Sequence, residues 1–127
     1  MEPIAVVTIL TLIEYFVFSL LVARSRVKTG TPPPTIIGDP IFERYFRVHQ
    51  NTLEQLPVFL PALWLFGIYV DALIGAAVGL LFIVGRAIYC RGYVEDPSKR
   101  TLGFVIGQLS QTVLLLGGLI GAIVSWL

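Results

Sequence analysis

Four long apolar runs, separated by two polar segments and one tight turn, organise this chain. The first, Pro3–Ala23, is interrupted only by Thr8, Thr11, Glu14 and Ser19. A helix that crosses a hydrocarbon core needs about 20 residues, so this run predicts a membrane span. It begins almost at Met1 without a basic leader, which reads as a span rather than a signal peptide. It ends at Arg24, Arg26 and Lys28, a basic stop at a membrane surface. The next stretch, KTGTPPPTIIGDP from Lys28 to Pro40, cannot continue the helix, because three consecutive prolines withhold donors and force extended backbone. Asp39 then offers an N-cap and Pro40 a first-turn residue, predicting a second helix over 41–70. At about 1.5 Å per residue that helix is about 45 Å long, so its first half projects from the lipid or is shielded by neighbours. Pro57 and Pro61 lie inside it and predict a bend. After a turn at Asp71, a third helix is predicted over 72–94, with Gly75 and Gly79 spaced for close helix contact. EDPSKR, Glu95–Arg100, reads as a short turn into a fourth helix over 101–127. That helix carries two more such glycine pairs, Gly103/Gly107 and Gly117/Gly121. Gln108 and Gln111, three apart, are expected to hydrogen-bond across the bundle.

Composition sharpens the class. Hydrophobic residues make up 56% of the 127 and charged residues 13%, with a mean hydropathy of +0.84. Soluble domains average about 45–50% apolar and about 25% charged, so the expected fold is an all-α integral membrane bundle of four transmembrane helices forming one domain, 1–127. A net charge of +1 gives no footing for nucleic acid. The single cysteine, Cys90, excludes an internal disulfide and a multi-cysteine metal site, and the lone His49 makes no metal site. All nine Lys and Arg residues fall in or beside the loops after helices one and three, and none lies at the termini or around Asp71. Positive-inside bias then predicts both basic loops in the cytoplasm and both termini on the opposite side.

The candidate chemistry sits at that basic end. At about 100° per residue, Arg44, Arg47, Asn51 and Glu54 of FERYFRVHQNTLEQLP share a narrow arc of helix two. In helix three, Arg86, Tyr89 and Tyr93 share one face, with Arg100 following in the turn. Fixed cations, one carboxylate, an amide and two phenols suit a small zwitterionic peptide bearing more than one carboxylate, because arginine grips carboxylates through paired hydrogen bonds. They also suit lipid phosphate headgroups, or an internal ion-pair network such as Glu54 with Arg86. Residue chemistry alone leaves these alternatives open. Glu14 stands apart inside the first span, either as a carboxyl protonated or paired within the bundle or as a functional acid. Cys90 reads as structural, and Trp64 and Trp126 as packing or interface anchors.

Two separated blocks carry a resemblance. FERYFRVHQNTLEQLP meets the pattern E-R-x-x-R-x-x-x-N-x-x-E-x-x-P through Glu43, Arg44, Arg47, Asn51, Glu54 and Pro57, and GRAIYCRGYV, Gly85–Val94, precedes Arg100. Together they resemble the MAPEG family, the membrane-associated proteins in eicosanoid and glutathione metabolism, in its leukotriene C synthase and microsomal glutathione transferase branch. The resemblance implies a homotrimer that binds glutathione between subunits near the cytoplasmic face. It assigns Arg47, Asn51, Glu54, Tyr89 and Tyr93 to glutathione, with Arg24 from the end of helix one and His49 where relatives carry Gln or His. Arg86, from the second block, is counted with them. Arg100 matches the arginine that stabilises the glutathione thiolate; a thiol has a pKa of about 8.5, and a fixed cation beside it raises the nucleophile present at neutral pH. The implied second substrate is a hydrophobic electrophile or lipid hydroperoxide drawn from membrane lipid. Gln55 departs from the family, standing where close relatives have an aromatic, and a longer loop leaves Arg24 and Arg26 as competing matches.

The expected function is therefore a membrane glutathione transferase or peroxidase. A non-catalytic lipid-binding scaffold is the rival, although such a member of the family lacks the equivalent of Arg100. A small multidrug transporter, suggested by Glu14, has no use for the Arg47–Asn51–Glu54 face.

Overall fold

Each predicted run forms one helix in the computed structural model, which describes residues 1–127. The order is α1 (Glu2–Thr29), α2 (Pro40–Tyr69), α3 (Ala72–Glu95) and α4 (Thr101–Trp126), with a single 3₁₀ turn over Pro97–Arg100 before α4. All four are long and apolar enough to cross a membrane. Their outward faces are rows of exposed Ile, Leu, Val and Phe, such as Val6, Ile9, Ile13, Phe16 and Leu20 on α1. In lipid such faces carry no hydrophobic penalty, so the bundle is held by packing and by internal hydrogen bonds.

The ends of the helices are set by local chemistry. Asp39 accepts hydrogen bonds from the backbone N–H groups of Ile41 (2.8 Å) and Phe42 (3.2 Å), which caps α2. Asp71 does the same for α3 through Ile74 N–H (2.8 Å). α1 runs on through the basic stop, from Arg24 to Thr29. The basic residues end the apolar span but not the helix, since cations are favoured in a last turn. The helix stops at Gly30, whose φ of 66° is a left-handed cap that glycine adopts without strain. α2 continues through Pro57 and Pro61, both on its exposed side.

The core draws on all four helices: Ile4 and Val7 of α1, Leu63 and Phe66 of α2 and Leu114 of α4 share one cluster with a stacked pair, Phe59 and Phe82, whose ring centroids lie 3.8 Å apart. A polar tie joins α1 to α2, where Trp64 Nε1 donates to Thr8 Oγ1 at 2.9 Å. α4 packs closely on α3 through glycine. A methyl built at Gly103 would collide with the Tyr89 backbone, and one at Gly85 would lie 2.9 Å from the Gly107 nitrogen. The other pairs act similarly: Gly79 faces Val7 and Leu63, and Gly117 and Gly121 face Phe66 and Tyr69. A methyl at Gly107 meets nothing nearer than 3.9 Å.

This asymmetry yields a test. Gly103→Ala forces α4 away from α3 and is expected to lower stability by about 1–3 kcal/mol, the usual range for overpacking. Gly107→Ala adds ordinary contact and helix propensity, so it should be neutral or mildly stabilising. Thermal melts of both variants in one detergent check this, and equal losses would refute the close-approach account.

Candidate functional site

The polar residues gather at the end of the bundle formed by the C-termini of α1 and α3 and the N-termini of α2 and α4. The predicted arc on α2 divides into an inward and an outward half. Arg44 turns inward and donates from Nη1 to the carbonyls of Val94 (3.1 Å) and Glu95 (3.4 Å), closing the end of α3. Asn51 also turns inward. Its Oδ1 accepts from Arg86 Nη2 at 2.9 Å, and the same nitrogen donates to Thr52 Oγ1 at 2.8 Å. Thr52 can accept because its own hydroxyl donates to Val48 O (2.8 Å). Arg47 and Glu54 face outward and pair with each other, Nη1 to Oε1 at 3.7 Å, with side chains 56% and 59% exposed.

Arg86 is therefore not the partner of Glu54. Its residue exposure is 1%, the lowest of any charged residue, and its guanidinium lies 4.3 Å over the Tyr89 ring. Tyr89 stacks on Tyr93 at 5.6 Å between centroids, so the expected Arg86–Tyr89–Tyr93 face forms a continuous column toward the helix end. Tyr89 is buried and Tyr93 partly exposed. Arg100 is exposed on the turn below them, with Nη1 donating to Pro97 O (2.9 Å). The turn itself is fixed by Asp96, which accepts from Ser98 N–H (3.1 Å), and by Lys99 on Glu95 (2.7 Å). The Ser98 N–H holds the Asp96 carboxyl below its ordinary pKa.

The two arginines at the end of α1 have different tasks. Arg26 Nη1 donates to Thr31 O (3.1 Å) and Thr35 O (2.6 Å), and its guanidinium lies 4.5 Å over Phe42, so it organises the proline loop. Arg24 is exposed and lines a cavity of about 190 Å³ with Lys28, Ser25, Thr29 and Tyr45. Tyr45 lies two residues before Arg47, about 160° away around α2 at about 100° per residue. Arg24 thus sits on the opposite flank of the chain from Arg47 and Glu54. His49 turns to that flank as well, stacked on Tyr15 of α1 at 4.6 Å.

Two features were hidden in the sequence. The glutamines of α4 share one acceptor, Gln55 Oε1, at 2.9 Å from Gln108 and 2.6 Å from Gln111. The departure at Gln55 thus has a structural use. Thr52 carries no sequence signal, because nothing in its spacing distinguishes it from other buried threonines.

A profile of the MAPEG family matches residues 4–120. The chain is 45% identical over 116 residues to uncharacterized protein sll1147 of Synechocystis, covering 91% of this chain and 85% of that one. It is 39% identical over 120 residues to microsomal glutathione S-transferase 2 of Homo sapiens, covering 94% and 80%. It is 36% identical over 97 residues to leukotriene C4 synthase of Cavia porcellus, covering 76% and 65%. With its four spanning helices, the protein is a multi-pass integral membrane protein, and the chain belongs to the MAPEG family.

The shared acceptor makes a prediction. Gln55→Leu leaves the amides of buried Gln111 and half-buried Gln108 without their acceptor, and stability should fall by about 1–3 kcal/mol. Replacing Gln55, Gln108 and Gln111 together with Leu should recover most of it, because removing all partners strands no polar group. Chemical unfolding in detergent reads both; a triple variant no better than the single one would refute the account.

Proposed function

We propose that this protein is a membrane glutathione transferase that joins the glutathione thiol to hydrophobic, lipid-like electrophiles, with reduction of lipid hydroperoxides as a related activity. The observation that carries the reading is the set of outward groups at the basic end: the Arg47–Glu54 pair at 3.7 Å, partly exposed Tyr93, and exposed Arg100. A zwitterionic tripeptide supplies carboxylates for Arg47 and an ammonium for Glu54, and paired hydrogen bonds favour that exchange. Two relatives named for glutathione transfer and leukotriene C4 synthesis support the same chemistry.

The proposed assembly is a homotrimer with the site between subunits. Within one chain Arg24 and His49 lie on the flank opposite Arg47 and Glu54, so one small ligand can touch both sets only between copies. In this scheme Arg47, Asn51, Glu54, Tyr89 and Tyr93 of one subunit hold the tripeptide, and Arg24 and His49 come from its neighbour. Arg86 acts from behind, through Asn51 and Tyr89. Arg100 is the catalytic residue. Its cation stabilises the thiolate, which attacks the electrophilic carbon; a carbon–sulfur bond forms as the leaving group departs with its electron pair, or as an epoxide opens to an alkoxide that takes up a proton. The electrophile arrives from the lipid along apolar helix faces. The basic end faces the cytoplasm on this reading, by positive-inside bias.

Titration of detergent-purified protein with glutathione, followed by turnover of 1-chloro-2,4-dinitrobenzene, tests the proposal. Wild type should bind glutathione and raise thiolate absorbance in the ultraviolet. Arg100→Ala should retain most binding while kcat falls about 100-fold, the scale for losing one charge-stabilising group. Wild type that binds no glutathione, or an Arg100→Ala variant with unchanged turnover, would sink it in favour of a non-catalytic lipid-binding scaffold.

A further inference from the structure

Glu14 has no part in the site as described, yet it is the acid placed deepest in α1 and its Oε1 is fully buried without a protein hydrogen-bond partner. Arg86 Nε is buried and unpartnered in the same way, while Arg86 Nη2 is taken by Asn51 and Thr52. The two groups lie at one depth. Tyr15, next to Glu14, stacks on His49 at 4.6 Å, and Asn51, two residues from His49, bonds Arg86 at 2.9 Å. Phe18, one turn on from Glu14, packs in one cluster with Cys90, one turn on from Arg86, yet Glu14 forms no ion pair with Arg86 within 4.0 Å. A cation with 1% exposure needs a counter-charge and a partner for every N–H. A buried acceptor and a buried donor, both left without a protein partner, are what a bound water satisfies.

We infer that Glu14 Oε1 and Arg86 Nε enclose a buried water site, and that through it Glu14 serves as the counter-charge of Arg86 and a positioning residue for Asn51. Glu14 balances Arg86 from α1, and Arg86 in turn fixes the carboxamide of Asn51 from behind. The chain of contacts runs from the middle of the first span to Asn51 on α2. The positioning role rests on the glutathione reading above; the water site does not.

A high-resolution cryo-electron microscopy map of the wild-type protein decides the water site. A peak within hydrogen-bond distance of both Glu14 Oε1 and Arg86 Nε is expected. A dry gap or a direct Glu14–Arg86 ion pair overturns it. The positioning role is read from glutathione Kd in wild type, Glu14→Gln, Asn51→Ala and the double variant. Glu14→Gln should weaken binding about tenfold in the wild-type background and leave Kd nearly unchanged in the Asn51→Ala background, because coupled residues are not additive. Equal weakening in both backgrounds marks Glu14 as merely structural and overturns the role. If Glu14→Gln does not fold, Glu14→Asp in the same cycle should show the same loss of effect in Asn51→Ala. The two readings fail separately: wild type that binds no glutathione sinks the transferase reading, whereas a missing water peak sinks the bridge whatever glutathione does.

Discussion

A guanidinium held almost wholly out of solvent, between α2 and α3, is the constraint on which the polar end of this bundle depends. Arg86 joins α3 to α2 through Asn51 and Thr52, and joins its own helix face through Tyr89. Breaking a buried pair of this kind strands a charge, whereas the exposed Arg47–Glu54 pair contributes about 0–1 kcal/mol at most. The interior contacts therefore set the rotation of α2 about its axis. Once Arg44 and Asn51 are turned inward, Arg47 and Glu54 have only one direction left, outward past the edge of the chain.

The glycine contacts supply the other half of the geometry. α4 lies close enough to α3 that the Tyr89 backbone and Gly103 nearly touch, and this brings the start of α4, with Arg100, beneath the Tyr89–Tyr93 column. The position of Arg100 is thus a consequence of a packing feature placed inside the membrane span. A cation on a short turn has little of its own to fix it: Arg100 has one hydrogen bond to Pro97 O, and Asp96 and the Lys99–Glu95 pair order the turn around it.

Much of this was legible in sequence because the signals are local. Helix number follows from run length, the α2 and α3 starts from Asp39 and Asp71, and the aromatic column from spacing at three and seven residues. Glycine pairs mark close contacts, though not which neighbour they meet. What sequence does not carry is rotation. The arc Arg44–Glu54 is the same arc whichever part of it faces inward, and only the partner on α3 decides. Likewise Gln108 and Gln111 announce a hydrogen bond, but their acceptor, Gln55, sits more than fifty residues away and looks like a lost aromatic contact. The basic cluster after the first run was ambiguous for another reason. Charge ends an apolar span, whereas a helix ends where its backbone can turn, and here that is Gly30.

The division between inward and outward groups also bears on how an exposed charge pair can serve a ligand. Arg47 and Glu54 already neutralise one another at 3.7 Å, in water, at little net gain. A zwitterionic peptide brings its own cation and anions, so it can replace each member of the pair with an opposite charge of its own and leave no group stranded. The exchange is inexpensive because the pair is weak, and specific because the two members stand on rigid helix rather than on a loop. Had the ligand-facing charges been the buried ones, binding would have required breaking the Arg86 contacts that orient α2. On the proposed reading the buried Arg86 charge serves orientation and the weak Arg47–Glu54 pair serves recognition, and that separation of charges allows a small polar co-substrate to bind and leave without loosening the bundle.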